Sequence, residues 1–302
     1  MVVVFGSINV DLLFPLSELP QPGQTLLAAG ASLEPGGKGA NQACAAALDG
    51  AQVVMVGAVG SDALAEPALA RLRAAGVDLS RVQSASGLTG CAAICTDRSG
   101  RNQIVVASGA NLQTRAAVVE DALLGPGTVL VTQMEVDPAE TATLIRRAGS
   151  LGARTVHNLA PALPLDPDVL RAVDVLVVNE DEAGWLAGTQ GIHGTDAASL
   201  HGALGVAVVC TLGGRGVAWA GSGRTGQVPA RAVDVVDTTA AGDCFVGVLA
   251  AALERGWALD EAVVRANVAA ALSCTRAGSQ RSLPDAREID ASTQAERPGR
   301  RG

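Results

Sequence analysis

Asp237-Thr238-Thr239-Ala240-Ala241-Gly242-Asp243 runs without a break into the apolar residues 244–255. An extended stretch ends at Val236, small residues make the turn, and the apolar run behind it predicts a helix with Asp243 at or beside its N-terminus. The first N–H groups of a helix have no partner inside it and carry the positive end of the helix dipole. Such a turn can hold an anion, and a carboxylate beside it can take the proton of a hydroxyl that attacks a bound phosphoryl group. Asp is also a leading N-cap residue, so plain capping stands as the other reading of Asp243.

Outward from this turn the chain alternates. Apolar strands at 128–132, 154–157, 175–178 and 206–210 are separated by helical stretches near 114–124, 138–150, 180–187 and 195–204. With strands at 1–5 and 53–59, this predicts an α/β fold whose central, mainly parallel sheet carries helices on both faces. Between them, residues 9–34 are broken by Pro and Gly, and 91–96 and 103–107 read as a hairpin around Asp97-Arg98-Ser99-Gly100. These segments, about 9–34 and 90–108, predict a small β-sheet lid over a single domain spanning 1–290. Residues 291–302 read as a disordered tail.

Polar residues gather where the predicted strands end, which in a parallel sheet is the edge that binds ligands. Asn9 and Asp11 follow the first strand, with Val10 between them, and can accept hydroxyl protons or simply make turns. Gly36-Gly37-Lys38-Gly39-Ala40-Asn41 opens a helix of small residues, and Lys38 is the one lysine in the chain. Its compact ammonium fits between glycines where a planar guanidinium does not. Further along, strands run out into Gln133 to Glu135, into Asn158, into Asn179-Glu180-Asp181-Glu182, and into Thr211-Leu212-Gly213-Gly214-Arg215-Gly216. The acidic trio can equally serve a helix N-terminus. Gly221-Ser222-Gly223-Arg224-Thr225-Gly226 matches a dinucleotide fingerprint, but an extended stretch follows it, so it reads as a hairpin turn.

Composition excludes several classes. The 302 residues carry a formal charge of −8 at pH 7, which argues against a nucleic-acid partner. No run is long enough to cross a membrane, and the chain reads as cytoplasmic. Six cysteines at 44, 91, 95, 210, 244 and 274 form no CxxC pair, so buried reduced thiols are expected. His157, His193 and His201 show no ligand spacing and are expected in loops or at the surface. Tyr is absent and Phe occurs three times, so the core has to be built from Ala, Val and Leu.

The motifs at 6–11, 36–41, 179–182, 211–216 and 237–243 occur in the order and spacing of the ribokinase-like carbohydrate kinases, which the chain resembles over residues 1–285. The resemblance implies ATP-dependent phosphorylation of a primary sugar hydroxyl. Gly-Ser-Ile-Asn-Val-Asp, Gly-Gly-Lys-Gly-Ala-Asn and the Ala-Ala-Gly-Asp form of the last motif point within the family to D-ribose. Fructose, a ketodeoxysugar, a nucleoside or a silent sugar-binding role are the alternatives. The resemblance also implies site roles. Asp243 would be the general base, with the backbone of Ala240, Ala241 and Gly242 as anion hole. Asn9, Val10, Asp11, Gly37, Lys38, Gly39, Ala40, Asn41 and Glu135 would hold the sugar. Asn179, Thr211, Leu212, Gly213, Gly214, Arg215, Gly216, Gly242 and Asn267 would line the ATP site, and Glu182 would position Mg²⁺ through water. Asp237, Thr239, Ser273, Arg276, Gly278 and Ser282 would supply mainly backbone oxygens to K⁺. Gln24 and Cys244 depart from the family pattern, which more often has Glu and Thr or Ser there. A lid of roughly four strands that cannot bury both faces implies a homodimer.

Overall fold

The computed structural model describes residues 1–99 and 101–295. In chain order the strands are β1 (Val2–Phe5), β2 (Asn9–Pro15), β3 (Ser32–Gly36), β4 (Val53–Gly60), β5 (Asp78–Ala85), β6 (Gly90–Thr96), β7 (Asn102–Ala107), β8 (Val129–Thr132), β9 (Arg154–Asn158), β10 (Val175–Asn179), β11 (Ala207–Thr211), β12 (Val217–Gly221) and β13 (Arg224–Val228). The helices are α1 (Lys38–Leu48), α2 (Ala65–Ala74), α3 (Pro138–Leu151), α4 (Pro167–Leu170), α5 (Glu180–Gln190), α6 (Ala197–Leu204), α7 (Ala241–Glu254), α8 (Leu259–Ser273) and α9 (Ala286–Ala295).

Nine strands form one sheet in the order β13-β12-β11-β10-β9-β8-β1-β4-β5. All pairings from β5 to β11 are parallel, and the two edge pairings, β11–β12 and β12–β13, are antiparallel. Strand β1 shows why the sheet needs cover on both sides. Val2 and Val4 enter one apolar cluster with residues of α1, α2, α7 and α8, while Val3 and Phe5 enter another with residues of α3. A strand buried on both faces reads as a continuous apolar run, as these four residues do. The other end of that second face is filled by α3, α5 and α6 against β10 and β11.

Strands β3-β2-β6-β7 make a separate small sheet. Its β2–β6 pairing is parallel and the two flanking pairings are antiparallel. Asp97 N–H closes the β6–β7 turn onto Arg101 O, and Gly100, expected in that turn, lies outside the described residues. Leu33, Ile104, Val105 and Val106 of this sheet are all at least half exposed.

Helices α1 and α7 pack closely, and Gly247 permits it. A Cβ at Gly247 would lie 2.4 Å from Gln42 O and 2.6 Å from Ala45 Cβ. At the far ends of the same helices, the buried Asp49 carboxylate accepts from Arg255 and from Arg265 of α8. The C-terminal ends of the α1–α7 pair are thereby joined by a buried ion pair, and the close contact at Gly247 joins them nearer their N-termini.

Three expectations need correction. Residues 114–124 do not form a helix; short 3₁₀ turns occupy 116–118 and 121–123. Long-range side chains satisfy this backbone instead: Glu140 accepts from Ala116 N–H, and the Arg147 guanidinium donates to the carbonyls of Ala116 and Val119. Residues 291–295 are not a frayed tail but the last part of α9, and 296–302 lie outside the described residues. Reciprocal Asp285–Glu288 bonds start this helix, and it docks through buried Ile289 and the Arg265–Asp290 and Arg276–Glu288 pairs. His157 lies inside β9 and is fully buried, with Nδ1 2.8 Å from Thr132 Oγ1; burial pulls its pKa down to about 4. Among the described residues no helix is long and apolar enough to cross a membrane. Cys44, Cys210 and Cys244 are buried free thiols, and Cys91, Cys95 and Cys274 are partly exposed ones.

Candidate active site

The ends of β1, β8, β9, β10 and β11 and the starts of α1 and α7 meet along one edge of the sheet. Asp243 is the third residue of α7, and its side chain makes no capping bond to the helix. The capping position is Ala240, held at φ 59°, a left-handed conformation that costs energy for a residue with a side chain. Ala241 N–H donates to Thr238 O at 3.2 Å and Cys244 N–H to Ala240 O at 2.8 Å. The N–H groups of Gly242 and Asp243 remain at the open end of the helix. A Cβ on Gly242 would meet nothing within 4 Å, so there is room beside these donors for a ligand.

The Asp243 carboxylate is buried and gripped on both oxygens. Asn41 Nδ2 donates to Oδ2 at 2.8 Å and Gln42 Nε2 to Oδ1 at 2.9 Å. Burial pushes its pKa up; Lys38 and the two amides pull it down; Glu135 adds to the rise. Burial alone would lower the Lys38 ammonium, but Asp243, Glu135, Glu182 and Asp11 together hold it above its ordinary value. Asp11 is pushed up to about 6 by burial, then by Glu135 and Asp243, with Lys38 opposing.

The turn before α1 brings the remaining sugar-side residues together. Gly37 caps α1 at φ 89°, where a Cβ would press within 3.0 Å of the backbone of Ser7 and Asn9. Glu135 Oε2 accepts from Ser7 Oγ at 2.6 Å and from Lys38 N–H at 3.1 Å, and Oε1 lies 3.9 Å from Lys38 Nζ. Gly39 N–H donates to Ser7 Oγ. Asn9 Oδ1 accepts from Asn111 Nδ2 at 2.6 Å. Val10 and Ala40 send their side chains into the apolar core, leaving only backbone for the site.

Two adjoining clefts meet at Thr211, Thr238, Ala241 and Gly242. One is lined by Lys38, Asn158, Asn179, Glu182 and Asp243 among others. The other is lined by Gly213, Gly214, Gly216, Asn267 and mostly apolar neighbours such as Val235 and Phe245. Leu212 and Arg215, expected with this group, do not line it. Leu212 N–H closes the loop onto Gly216 O, and Arg215 points away to Glu180. Asn267 Nδ2 is engaged by Pro229 O.

Asn179 and Glu182 form a capping box at the start of α5, with Glu182 N–H donating to Asn179 Oδ1 and Asn179 N–H to Glu182 Oε2, both at 2.8 Å. Glu182 therefore has a structural duty whatever else it does. Burial raises its pKa first, with Asp243 and Asp181 adding and the Asn179 N–H and Lys38 opposing.

Asp237 joins two of the segments expected around a cation. Oδ1 accepts from Thr239 N–H and Oγ1, and Oδ2 from Gly278 N–H at 2.9 Å. Although burial works against the charge, these donors hold the Asp237 carboxyl below its ordinary range. The Ser273 and Ser282 hydroxyls are bonded within their own segments, and Arg276 is paired with Glu288. Of Arg276 only the backbone is left for an ion, while the two serine oxygens keep their lone pairs.

Sequence reasoning passed over Ser7, Gln42, Asn111 and Gln280. Gln42 and Gln280 are wholly buried yet polar. The visible signal for Gln42 is a lone long polar side chain inside Ala-rich α1; Gln280 sits in a polar loop and carries none.

Residues 1–286 match the family model of the pfkB family carbohydrate kinases. The chain is 35% identical to ribokinase of Haemophilus influenzae over 292 residues, which cover 94% of this chain and 95% of that one. The crystal structure of ribokinase from Thermotoga maritima superposes with a TM-score of 0.90 at 30% identity, covering 97% of this chain and 99% of that one. Ribokinase of Arabidopsis thaliana complexed with ribose and ATP superposes with a TM-score of 0.86 at 27% identity, covering 96% and 97%. With its motifs gathered on one sheet edge and its whole length matched, the chain belongs to the pfkB family of carbohydrate kinases.

Proposed function

We propose that the chain transfers the terminal phosphoryl group of ATP to the primary hydroxyl of D-ribose, giving ribose 5-phosphate, with Asp243 as general base. One observation carries the reading: a buried carboxylate in the first turn of α7 lies beside free helix N–H groups where two clefts meet. Ribose would occupy the Lys38 and Asp243 side, held by Asn9, Asp11, Asn41, Glu135 and the glycine-rich backbone at Gly37 and Gly39. The nucleotide would lie along Thr211, Gly213, Gly214, Gly216 and Asn267.

From this arrangement the roles of the side chains follow. Asp243 takes the hydroxyl proton as the oxygen attacks, so the nucleophile gains charge only as the new bond forms. The N–H groups of Gly242 and Asp243 then face the oxygens of the phosphoryl group in transit, where preorganised donors lower the barrier most. Lys38 offsets a cleft otherwise crowded with carboxylates. Asp11 and Glu135 on the sugar side, with no arginine among the described residues that line this cleft, favour a neutral polyol over a sugar phosphate. Mg²⁺, when bound with the nucleotide, would neutralise charge across the phosphates. The donor set fits it through water only: Glu182 lines the cleft and keeps Oε1 for a water, but among the described residues no group of three His, Cys, Asp or Glu could hold a metal.

Two finer readings accompany this one. A K⁺ ion among the carbonyls of 237–239 and 273–282 would stiffen the turn that positions Gly242, and the Asp237–Gly278 bond already draws those segments together. The exposed Leu33, Ile104, Val105 and Val106 of the small sheet support pairing with a second copy.

Three measurements check these statements. Asp243→Asn should lower kcat roughly 10²- to 10⁴-fold while keeping the fold, with a lower melting temperature because its N–H₂ end meets a donor from Asn41 or Gln42; turnover within about threefold of the unaltered chain would place the base elsewhere. Rates at constant ionic strength should be clearly higher in K⁺ than in Na⁺, and equal rates would remove the cation. Sedimentation should give a dimer at assay concentration, whereas a monomer would leave the exposed apolar face without that partner.

A further inference from the structure

The buried polar groups behind Asp243 are neutral amides, and they form two chains that converge on its carboxylate. In the first, Gln133 Nε2 donates to Gln42 Oε1 at 2.6 Å, and Gln42 Nε2 donates onward to Asp243 Oδ1 at 2.9 Å and to Asn158 Oδ1 at 3.0 Å. In the second, Gln280 Nε2 donates to Asn41 Oδ1 at 3.1 Å, and Asn41 Nδ2 donates to Asp243 Oδ2 at 2.8 Å. Gln42, Gln133 and Gln280 are fully buried. None of the three lines either cleft.

The direction of these chains matters more than their number. An amide can present either its carbonyl or its N–H₂ end to a neighbour. Gln133 occupies the carbonyl of Gln42 and Gln280 occupies that of Asn41, so in both cases only the N–H₂ end is left to face Asp243. Each carboxylate oxygen then receives one donor from inside the protein and keeps lone-pair capacity toward the cleft. Rotation of the carboxylate would break both bonds at once, so they fix its plane.

We infer that Gln42 and Gln280 are positioning residues for phosphoryl transfer, which orient the Asp243 carboxylate and keep it in its proton-accepting form. The inference rests on Asp243 being the base. It extends to Gln280 a duty that lies far from it in the chain: Gln280 belongs to the loop whose Gly278 is held by Asp237 and whose Ser279 Oγ donates to Pro35 O of β3. A shift of that loop is thereby felt at the base through one side chain, Asn41.

The charged groups facing Asp243 set the sign of the pH effect. Lys38 on α1 favours the carboxylate, while Asp11 on β2, Glu135 after β8 and Glu182 on α5 oppose it, as does burial. Donated amide hydrogens favour the charged form, so removing one raises the pKa of the base. Protonated Asp243 accepts no proton, and activity at the acid side falls first.

Gln42→Glu keeps the shape and still accepts from Gln133, but puts a carboxyl oxygen where the donor to Asp243 stood. Gln280→Leu removes the hold on the Asn41 carbonyl and acts through the other oxygen. Both should lower kcat about 10- to 100-fold, as losses of supporting hydrogen bonds commonly do. Both should also move the acid limb of the kcat–pH profile to higher pH, with KM for ATP within about threefold; KM for ribose holds as well in Gln42→Glu, whereas Gln280→Leu also frees Asn41 on the sugar side. If Gln42→Glu does not fold, as judged by its melting transition, Gln280→Leu decides alone. A folded variant with lower kcat but an unmoved acid limb, or with unchanged kcat, overturns the inference. Asp243→Asn assayed alongside separates the two levels: if it keeps turnover, the base reading fails; if it is inactive while the glutamine variants behave like the unaltered chain, only the positioning role is lost.

Discussion

The structure turns on one buried carboxylate that α1 and α7 hold between them. Asp243 belongs to α7, its two donors Asn41 and Gln42 are neighbours on α1, and the helices can approach closely enough only because position 247 has no side chain. The ion pair of Asp49 with Arg255 and Arg265 fixes the opposite ends of the pair. Moving either helix along the other would therefore cost core packing, a buried ion pair and both bonds to the carboxylate together. A site built on rigid elements in this way needs little reorganisation when charge develops during transfer.

Electrostatics in the cleft follow from the same geometry. Three carboxylates at Asp11, Glu135 and Glu182 surround the base, and a single ammonium at Lys38 stands among them. Burial alone would discharge this group, since isolated charges are costly away from water. The surrounding carboxylates hold Lys38 above its ordinary value, and burial holds Asp243 above its own, a direction that strengthens it as a proton acceptor. The helix N–H groups of Gly242 and Asp243 add positive potential on the side where an anion would arrive.

Much of this was legible in the residues. The alternation of strands and helices from 128 onward has the period and length that a parallel sheet demands, and polar residues at successive strand ends pointed to one edge. Asp243 was visible because a carboxylate followed a turn of small residues into an apolar helix, although sequence could not separate a cap from a base; the absence of a side-chain capping bond removes the first reading. The helix expected at 114–124 failed because its backbone is satisfied by Glu140 and Arg147, partners more than twenty residues away. Leu212 and Arg215 matched their motif in sequence but turned elsewhere, since a motif specifies backbone approach more strictly than the direction of each side chain. Gln42 and Gln280 were hidden for a related reason: their meaning is a bond to a residue 201 positions away in one case and a bond to Asn41, 239 positions away, in the other. His157 gave no sign either, because a strand buried on both faces can absorb one histidine when a hydroxyl such as that of Thr132 meets its ring.

The central claim is that this edge of the sheet is a ribose kinase site, with acidic side chains suited to a neutral sugar and a helix N-terminus suited to the phosphoryl group. It is tested most directly by following ADP formation in a coupled assay over a panel of acceptors: ribose, 2-deoxyribose, fructose, fructose 1-phosphate and a nucleoside. The account predicts the highest kcat/KM for ribose, weaker use of 2-deoxyribose, and phosphate on the primary hydroxyl of the product. Preference for fructose 1-phosphate or for the nucleoside, or no acceptor-dependent ADP formation at all, would contradict it.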